Sequence, residues 1–304
     1  MQQLCLGTVQ FGMNYGINNA IGRQPTIEES CEMIDYALSH GIYTIDTARA
    51  YGNAELVLGE YFKSHKPDKS LKIITKLRPN VIDESTKDVY GIIRSEIEDS
   101  LDRMGVDCLD GYLLHTPEYV YNQDILDGMV KLKEASLTKH IGISIYDIKE
   151  GEAALNTGIF DYLQMPYSIL DQRGIRTGFL KKAHESGLTV ATRSAFLQGL
   201  LLMDEDKVPE KVADSKPYLK IVQDVAGEYD VKMVDLILGF VKNEEDIDYL
   251  VFGVEKLSQL KEDIESYNNC DIPAECIAEL KNRINDISTS IIFPSLWADG
   301  KKAE

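Results

Sequence analysis

Apolar residues in this chain gather into eight short runs: LCLGTV (4–9), IYTIDT (42–47), LKIITKL (71–77), CLDGYLLH (108–115), HIGIS (140–144), YLQMPY (162–167), LTVATRS (188–194) and YLVFGV (249–254). Each has the length and near-continuous apolar character of a parallel strand buried on both faces. Between the runs the spacing changes to a helical period. Residues 26–39 open on TIEE, which predicts a helix with Thr26 as N-cap and Glu29 completing a capping box. Residues 85–104 carry Val89, Ile92, Ile93, Ile97 and Leu101 at helical spacing, and so predict a second amphipathic helix. Strands alternating with helices in this way predict an α/β fold, a (β/α)8 TIM barrel. A doubly wound open sheet is the alternative, but no GxGxxG follows the first run, which counts against it. Extra helices are expected near the C-terminus. Two lie near 217–228 and 231–242, after a long polar loop, and one at 272–287 leads into STSIIFPSLWADG. No Ser/Gly-rich linker or composition break divides residues 1–304, so one barrel domain is expected.

Composition narrows the class. With 304 residues, 44% of them hydrophobic, the chain can bury a large core without disulfide staples. Its five cysteines are scattered and form no CxxC pair, so neither a zinc site nor a disulfide framework is expected, and free thiols in a reducing cytosol are. The first residues lack a basic segment ahead of an apolar run, and no apolar stretch reaches the ~18 residues of a membrane span. A cytoplasmic protein is therefore expected. The net charge of −18 argues against nucleic-acid or anionic-membrane partners. It leaves room for an anionic cofactor, since a barrel can focus a few positive groups locally.

Active sites of such barrels form at the C-terminal ends of the strands. Asp46 ends IYTID, Tyr51 follows five residues later, Lys76 closes LKIITK and His115 closes YLLH. These four would converge on the barrel mouth. A tyrosine is a poor acid at neutral pH, and an adjacent ammonium would lower its pKa. A buried ammonium needs a counter-ion, which Asp46 is placed to supply. A histidine can orient a carbonyl. Such a set suits protonation of an oxygen while hydride reaches its carbon. Singly, each residue has a plainer explanation: a loop cap for Asp46, one of 16 tyrosines for Tyr51, a satisfied core histidine for His115. Lys76 could also serve as a Schiff-base lysine. The joint pattern favours the oxidoreductase.

The same residues lie in segments that resemble the aldo-keto reductases along nearly the whole chain: LGTVQFG (6–12), TIDTARAYGNAELVLGE (44–60), ITKL (74–77), LLHTP (113–117), IGISIY (141–146), LQMPYSILDQR (163–173), RSAFLQGLL (193–201) and FGVEKLSQLKEDI (252–264). The D-x4-Y spacing of Asp46 and Tyr51, followed by Gly52 and Glu55, is the most specific of these features. The resemblance implies a tetrad of Tyr51, Asp46, Lys76 and His115, with NADP or NAD bound without a Rossmann domain. It implies cofactor contacts by Gly7 and Thr8 near the nicotinamide ribose, and by Ser144 and Gln164 on the carboxamide. Tyr167 would stack on the nicotinamide ring. Ser194, Phe196, Gln198, Gly199 and Leu200 would follow the pyrophosphate, and Gly253, Lys256, Gln259 and Glu262 the adenosine. No metal is implied.

Three positions depart from the family pattern. Ile145 stands where an asparagine is common, Glu255 where an arginine often pairs with the 2′-phosphate of NADP, and Asp263 where asparagine is usual. Together they put a preference for NADP in doubt. The expected substrate is a small aldehyde or ketone, or the matching alcohol. The FPSLW ending resembles members from bacterial sugar and polysaccharide pathways, which leans the expectation toward a sugar-like substrate. Specificity loops are expected at 14–21, 116–123, 201–217 and 288–304, and the apolar tail with the lone tryptophan is expected to pack on the barrel rather than touch substrate. Two rivals stand beside this reading: a non-catalytic nucleotide-binding regulatory subunit on the same fold, and an aldolase acting through Lys76. The oligomeric state, the physiological substrate and the reaction direction are not written in the sequence.

Overall fold

In the computed structural model, which describes residues 2–297 apart from 66, 68 and 69, the eight runs become eight parallel strands in one closed barrel, ordered β1 to β8 as in the chain. They are β1 (Gln3–Gly7), β2 (Thr44–Asp46), β3 (Lys72–Lys76), β4 (Leu109–Leu114), β5 (Thr138–Ser144), β6 (Tyr162–Pro166), β7 (Thr189–Arg193) and β8 (Tyr249–Gly253). Closure comes from β1 pairing with β8 from Gln3↔Tyr249 to Gly7↔Gly253.

Side chains alternate faces along a strand, so register decides what enters the barrel. One inner set, Cys5, Ile74, Leu113, Tyr162, Ala191, Tyr249 and Val251, forms an apolar cluster separate from the larger core beneath the helices. Two residues further along, on the same face, stand Gly7, Lys76, His115, Gln164, Arg193 and Gly253. The barrel is thus plugged by an apolar layer, and the next inward layer carries the polar groups. That layering is how the fold positions the site.

The helices follow their start and stop signals. Ile27–Ser39 has the expected capping box, with the Thr26 hydroxyl accepting from Glu29 N and the Glu29 carboxylate accepting from Thr26 N at 2.7 Å. The second helix starts at Val89, later than the spacing predicted. Asp83 accepts the backbone N–H of Ser85 at 2.9 Å, holding a turn there, and Asp88 caps the helix by accepting from Gly91 N at 2.8 Å. The additional helices are Lys216–Glu228, Met233–Lys242 and Ala274–Arg283. The last is shorter than 272–287. Pro273 disfavours helix at Ile272, and Ile284 is extended. Among the described residues no helix is long and apolar enough to cross a membrane.

Candidate active site

Asp46, Lys76 and His115 stand at or just after the upper ends of β2, β3 and β4, and Tyr51 reaches them from the turn after β2. The placement of Tyr51 depends on two glycines. A Cβ on Gly12 would lie 1.7 Å from the Tyr51 carbonyl oxygen, and one on Gly52, which is left-handed at φ +56°, 2.3 Å from the Gly12 oxygen. With no side chains in the way, the two turns pack backbone on backbone, joined by Asn53 N–H donating to Gly12 O at 3.3 Å. The Tyr51 ring then meets the His115 ring edge-on, centroids 5.9 Å apart, and lies 5.1 Å from the Lys76 ammonium.

Lys76 is 0% exposed and spends all three of its N–H donors. It donates to Asp46 Oδ1 at 2.7 Å, Asp46 Oδ2 at 2.9 Å and Thr47 O at 2.9 Å. Gln164 Nε2 adds a fourth donor to this cluster, on Asp46 Oδ2 at 2.8 Å. Burial pulls the Lys76 pKa down, and the Asp46 charge opposes that pull.

Lys76 is therefore not coupled to Tyr51 in the way the sequence suggested. The ammonium is neutralised by Asp46 and has no donor left for the phenol oxygen. Burial, reinforced by the Asp46 charge, pushes the Tyr51 pKa up, and the cation that opposes the push is Arg193. The hydroxyl is therefore held protonated. His115 is driven down to about 3, chiefly by burial and then by Lys76 and Arg193, so its ring is neutral at ordinary pH. Its Nδ1 is buried without a partner.

Tyr51 and His115 open into a cleft of about 430 Å³ at the barrel mouth. Of the residues expected to hold a dinucleotide, Gly7 and Thr8 line one wall, Ser194, Phe196, Gln198 and Gly199 a second, and Gly253 and Gln259 a third. Ser144 and Gln164, register partners on β5 and β6, are buried at the mouth beside Asp46. The Gln164 carboxamide oxygen has no partner, an open acceptor suited to the N–H of a bound carboxamide. At the far end, helix Leu257–Asn269 starts without a side-chain cap, leaving N–H groups free for an anion. On these grounds the residues fit a dinucleotide.

Four other residues expected to contact the cofactor are outside the lining of this cleft. Tyr167 is 0% exposed, stacked on Phe240 at 5.7 Å, with its hydroxyl donating to Glu244 at 3.1 Å. It follows Pro166, so strand alternation turns it outward under the helices, away from any ring in the cleft. Leu200 is fully buried, and Lys256 and Glu262 are exposed. Glu255, by contrast, is only 8% exposed and accepts Ala20 N–H at 2.7 Å. The 14–21 loop thereby straps the cleft, with Ile17 N–H also donating to Gln198 O at 3.2 Å and Gln198 Nε2 to Tyr15 Oη at 3.0 Å. The tail packs on the barrel and also reaches the cleft. Ile291, Ile292 and Trp297 are buried, with Trp297 Nε1 donating to Ser290 O at 3.0 Å, while Pro294 and Ser295 line the cleft.

Arg193, at the end of β7, is absent from the residues singled out in the sequence. Its inward register with Ala191 was the available signal, masked by the RSAFLQG segment that follows.

The model of the aldo/keto reductase family matches residues 3–285. Among similar proteins is the NADH-specific methylglyoxal reductase of Escherichia coli K12, 24% identical over 302 residues and covering 88% of this chain and 90% of that protein. The aldo-keto reductase YhdN of Bacillus subtilis is 24% identical over 258 residues, 76% of each chain. Among solved structures, the holo form of aldo-keto reductase AKR11C1 from Bacillus halodurans superposes with a TM-score of 0.75 at 20% identity, covering 97% of this chain and 95% of that one. With a family model spanning nearly all of its length and a closed eight-stranded barrel to match, the chain belongs to the aldo/keto reductase family.

Proposed function

We propose that this protein reduces a small aldehyde or ketone, or oxidises the matching alcohol, using a nicotinamide dinucleotide, with NADH at least as good a donor as NADPH. A sugar-like carbonyl compound is the substrate type in view. The observation that carries the reading is the single polar network in which Asp46, Lys76 and Gln164 lie behind Tyr51 and His115 at the mouth of the cleft. When bound, the nicotinamide supplies the hydride that the carbonyl carbon receives.

The chain's own residues do the rest. Tyr51 holds its proton at Oη and gives it up as negative charge develops on the substrate oxygen, which is then more basic than a phenolate. Neutral His115 hydrogen-bonds the carbonyl oxygen and orients it. The Lys76–Asp46 pair fixes the polar floor, and Gln164, held by Asp46 and with its oxygen unpaired, would accept from the carboxamide of a bound nicotinamide. Five unpaired cysteines suit a reducing compartment. The aldolase reading fares badly on this geometry. A Schiff base needs an accessible, deprotonated amine, and Lys76 is enclosed with all its protons engaged.

The cofactor preference rests on Glu255. A 2′-phosphate carries nearly two negative charges and would meet a carboxylate at the adenosine end, with only exposed Lys256 to offset it. The NADH-specific relative from Escherichia coli supports the same preference. The test is a panel of aldehydes, ketones and sugars followed at 340 nm with both cofactors. NADH is expected to equal or exceed NADPH in kcat/KM. Glu255→Gln keeps an oxygen for Ala20 N–H while deleting the charge, and should raise NADPH use several-fold, up to about tenfold. A parent enzyme preferring NADPH a hundredfold would overturn this assignment.

A further inference from the structure

The Tyr51 ring has His115 and Lys76 as neighbours, but its hydroxyl makes no hydrogen bond among the described residues. The place of Oη is therefore set by the backbone that carries the ring. That backbone runs from Thr47, just past β2, to Glu55 in the first turn of the helix Ala54–Ser64.

Two consecutive residues of β3 hold the two ends of this segment. Lys76 points into the barrel and donates to Thr47 O at 2.9 Å. Thr75 points to the opposite face, as strand alternation requires, and its hydroxyl donates to Glu55 Oε1 at 2.7 Å. The inner grip belongs to the polar floor of the site. The outer grip has no part in the mechanism above, and neither Thr75 nor Glu55 lines the cleft.

The outer grip is buried and charged. Thr75 is 0% exposed and Glu55 1%. Glu55 Oε2 faces Arg103 Nε at 3.3 Å and Arg49 Nε at 4.0 Å. Arg103 comes this near because two helices touch backbone to backbone: a Cβ on Gly59 would lie 2.1 Å from Arg103 O, in the last turn of the helix Val89–Met104. Arg49 stands two residues before Tyr51, within the segment itself, and is tied to Asp99 Oδ2 at 2.7 Å. Burial pushes the Glu55 pKa up, against the Thr75 hydroxyl and the charges of Arg49 and Arg103. Two cations thus meet two carboxylates, Glu55 and Asp99. An apolar side chain would fill a sealed helix position at lower cost. A carboxylate adds direction, since it holds one hydroxyl at one distance.

We propose that Glu55 is a positioning residue for the reaction: held by Thr75 on the outer face of β3 while Lys76 holds Thr47 on the inner face, it fixes the turn bearing Tyr51 and so sets Oη at the place that proton transfer needs. The proposal rests on the reductase reading of the cleft. A merely stabilising Glu55 would lower the melting temperature without slowing the chemical step in molecules that stay folded.

The experiment compares the parent with Glu55→Met, Thr75→Val, Thr75→Ser and the double variant Glu55→Met/Thr75→Val. Glu55→Met removes the acceptor and its charge, while Thr75→Val removes the donor and keeps the shape. Hydride transfer is measured in single turnovers by the loss of NADH fluorescence, well below each melting temperature, with the most active carbonyl compound of the panel described above. Both single variants are expected to slow this step by about tenfold or more, the scale of a small misplacement of a reacting group. The double variant should be no slower than the worse single, since the two residues form one contact. Thr75→Ser should stay within about twofold of the parent, and NADH affinity and KM within about threefold in Thr75→Val. A fluorine probe reads the turn directly: 3-fluorotyrosine at position 51 should give one narrow resonance in the parent background and a shifted or broadened one with Thr75→Val. Parent-like hydride transfer in Thr75→Val overturns the proposal, as does Thr75→Ser as slow as Thr75→Val, or a loss confined to NADH affinity. Should Glu55→Met not fold, the Thr75 pair decides. If the parent reduces no compound of the panel, the reductase reading has failed. The fluorine spectrum then decides the positioning by itself, and an unchanged resonance in Thr75→Val overturns it.

Discussion

Replacing Tyr51 with phenylalanine is expected to cut turnover by about two to four orders of magnitude while leaving fold and dinucleotide affinity intact. The change deletes one oxygen. The ring keeps its edge contact with His115 and its place beside Lys76, and no hydrogen bond among the described residues is lost, because Lys76 directs its donors at Asp46 and Thr47. What disappears is the proton that meets the developing alkoxide. A pH profile gives a second readout. His115 is shifted down to about 3 and Tyr51 lies above its ordinary value, so neither group changes charge between pH 5 and 9. The reduction limb should be flat there, with no inflection near 6.5. Near-normal turnover in Tyr51→Phe, or a histidine-like limb in the parent, would remove these roles.

Lys76→Met carries the largest expected cost in stability. It keeps the length of the side chain and strands Asp46 in the barrel with Gln164 Nε2 as its remaining side-chain donor. Breaking a buried pair in this way typically costs about 3–5 kcal/mol. Activity should fall as well, since an unpaired Asp46 charge drives the Tyr51 pKa further up. Denaturant titration of Lys76→Met beside the double variant Asp46→Asn/Lys76→Met separates pairing from packing. The double variant removes the stranded charge and should recover much of the lost stability. A single variant as stable as the parent would mean that the pair is not sealed from water.

The fold was legible because buried parallel strands write themselves as short apolar runs, and the polar residues that end those runs stand out. Asp46, Lys76 and His115 were found in this way. Tyr51 was found through its spacing from Asp46 and the glycine after it. What the pattern did not carry was facing. Tyr167 follows a strand that puts Gln164 inside, so alternation sends it outward onto Phe240. Arg193 shares the inward face of Ala191 and closes its strand as Lys76 closes β3, yet it sits at the start of a segment that reads as loop. The Lys76–Asp46 pair was expected from the sequence, but the engagement of all three Lys76 donors was not, because it depends on counting donors and acceptors in space. Glu255 showed in the sequence as a missing arginine, while its bond to Ala20, which straps the 14–21 loop across the cleft, joins residues far apart in the chain.

The central claim is that this cleft passes hydride from a dinucleotide to a carbonyl carbon beside Tyr51. Its most direct test is turnover of an active carbonyl substrate with NADH carrying deuterium at both C4 positions, followed by mass spectrometry and NMR of the product, for the parent and for Tyr51→Phe. Deuterium is expected on the former carbonyl carbon of the product formed by the parent, and such product should be nearly absent with Tyr51→Phe. A product with no deuterium on that carbon, or equal transfer by both proteins, would contradict it.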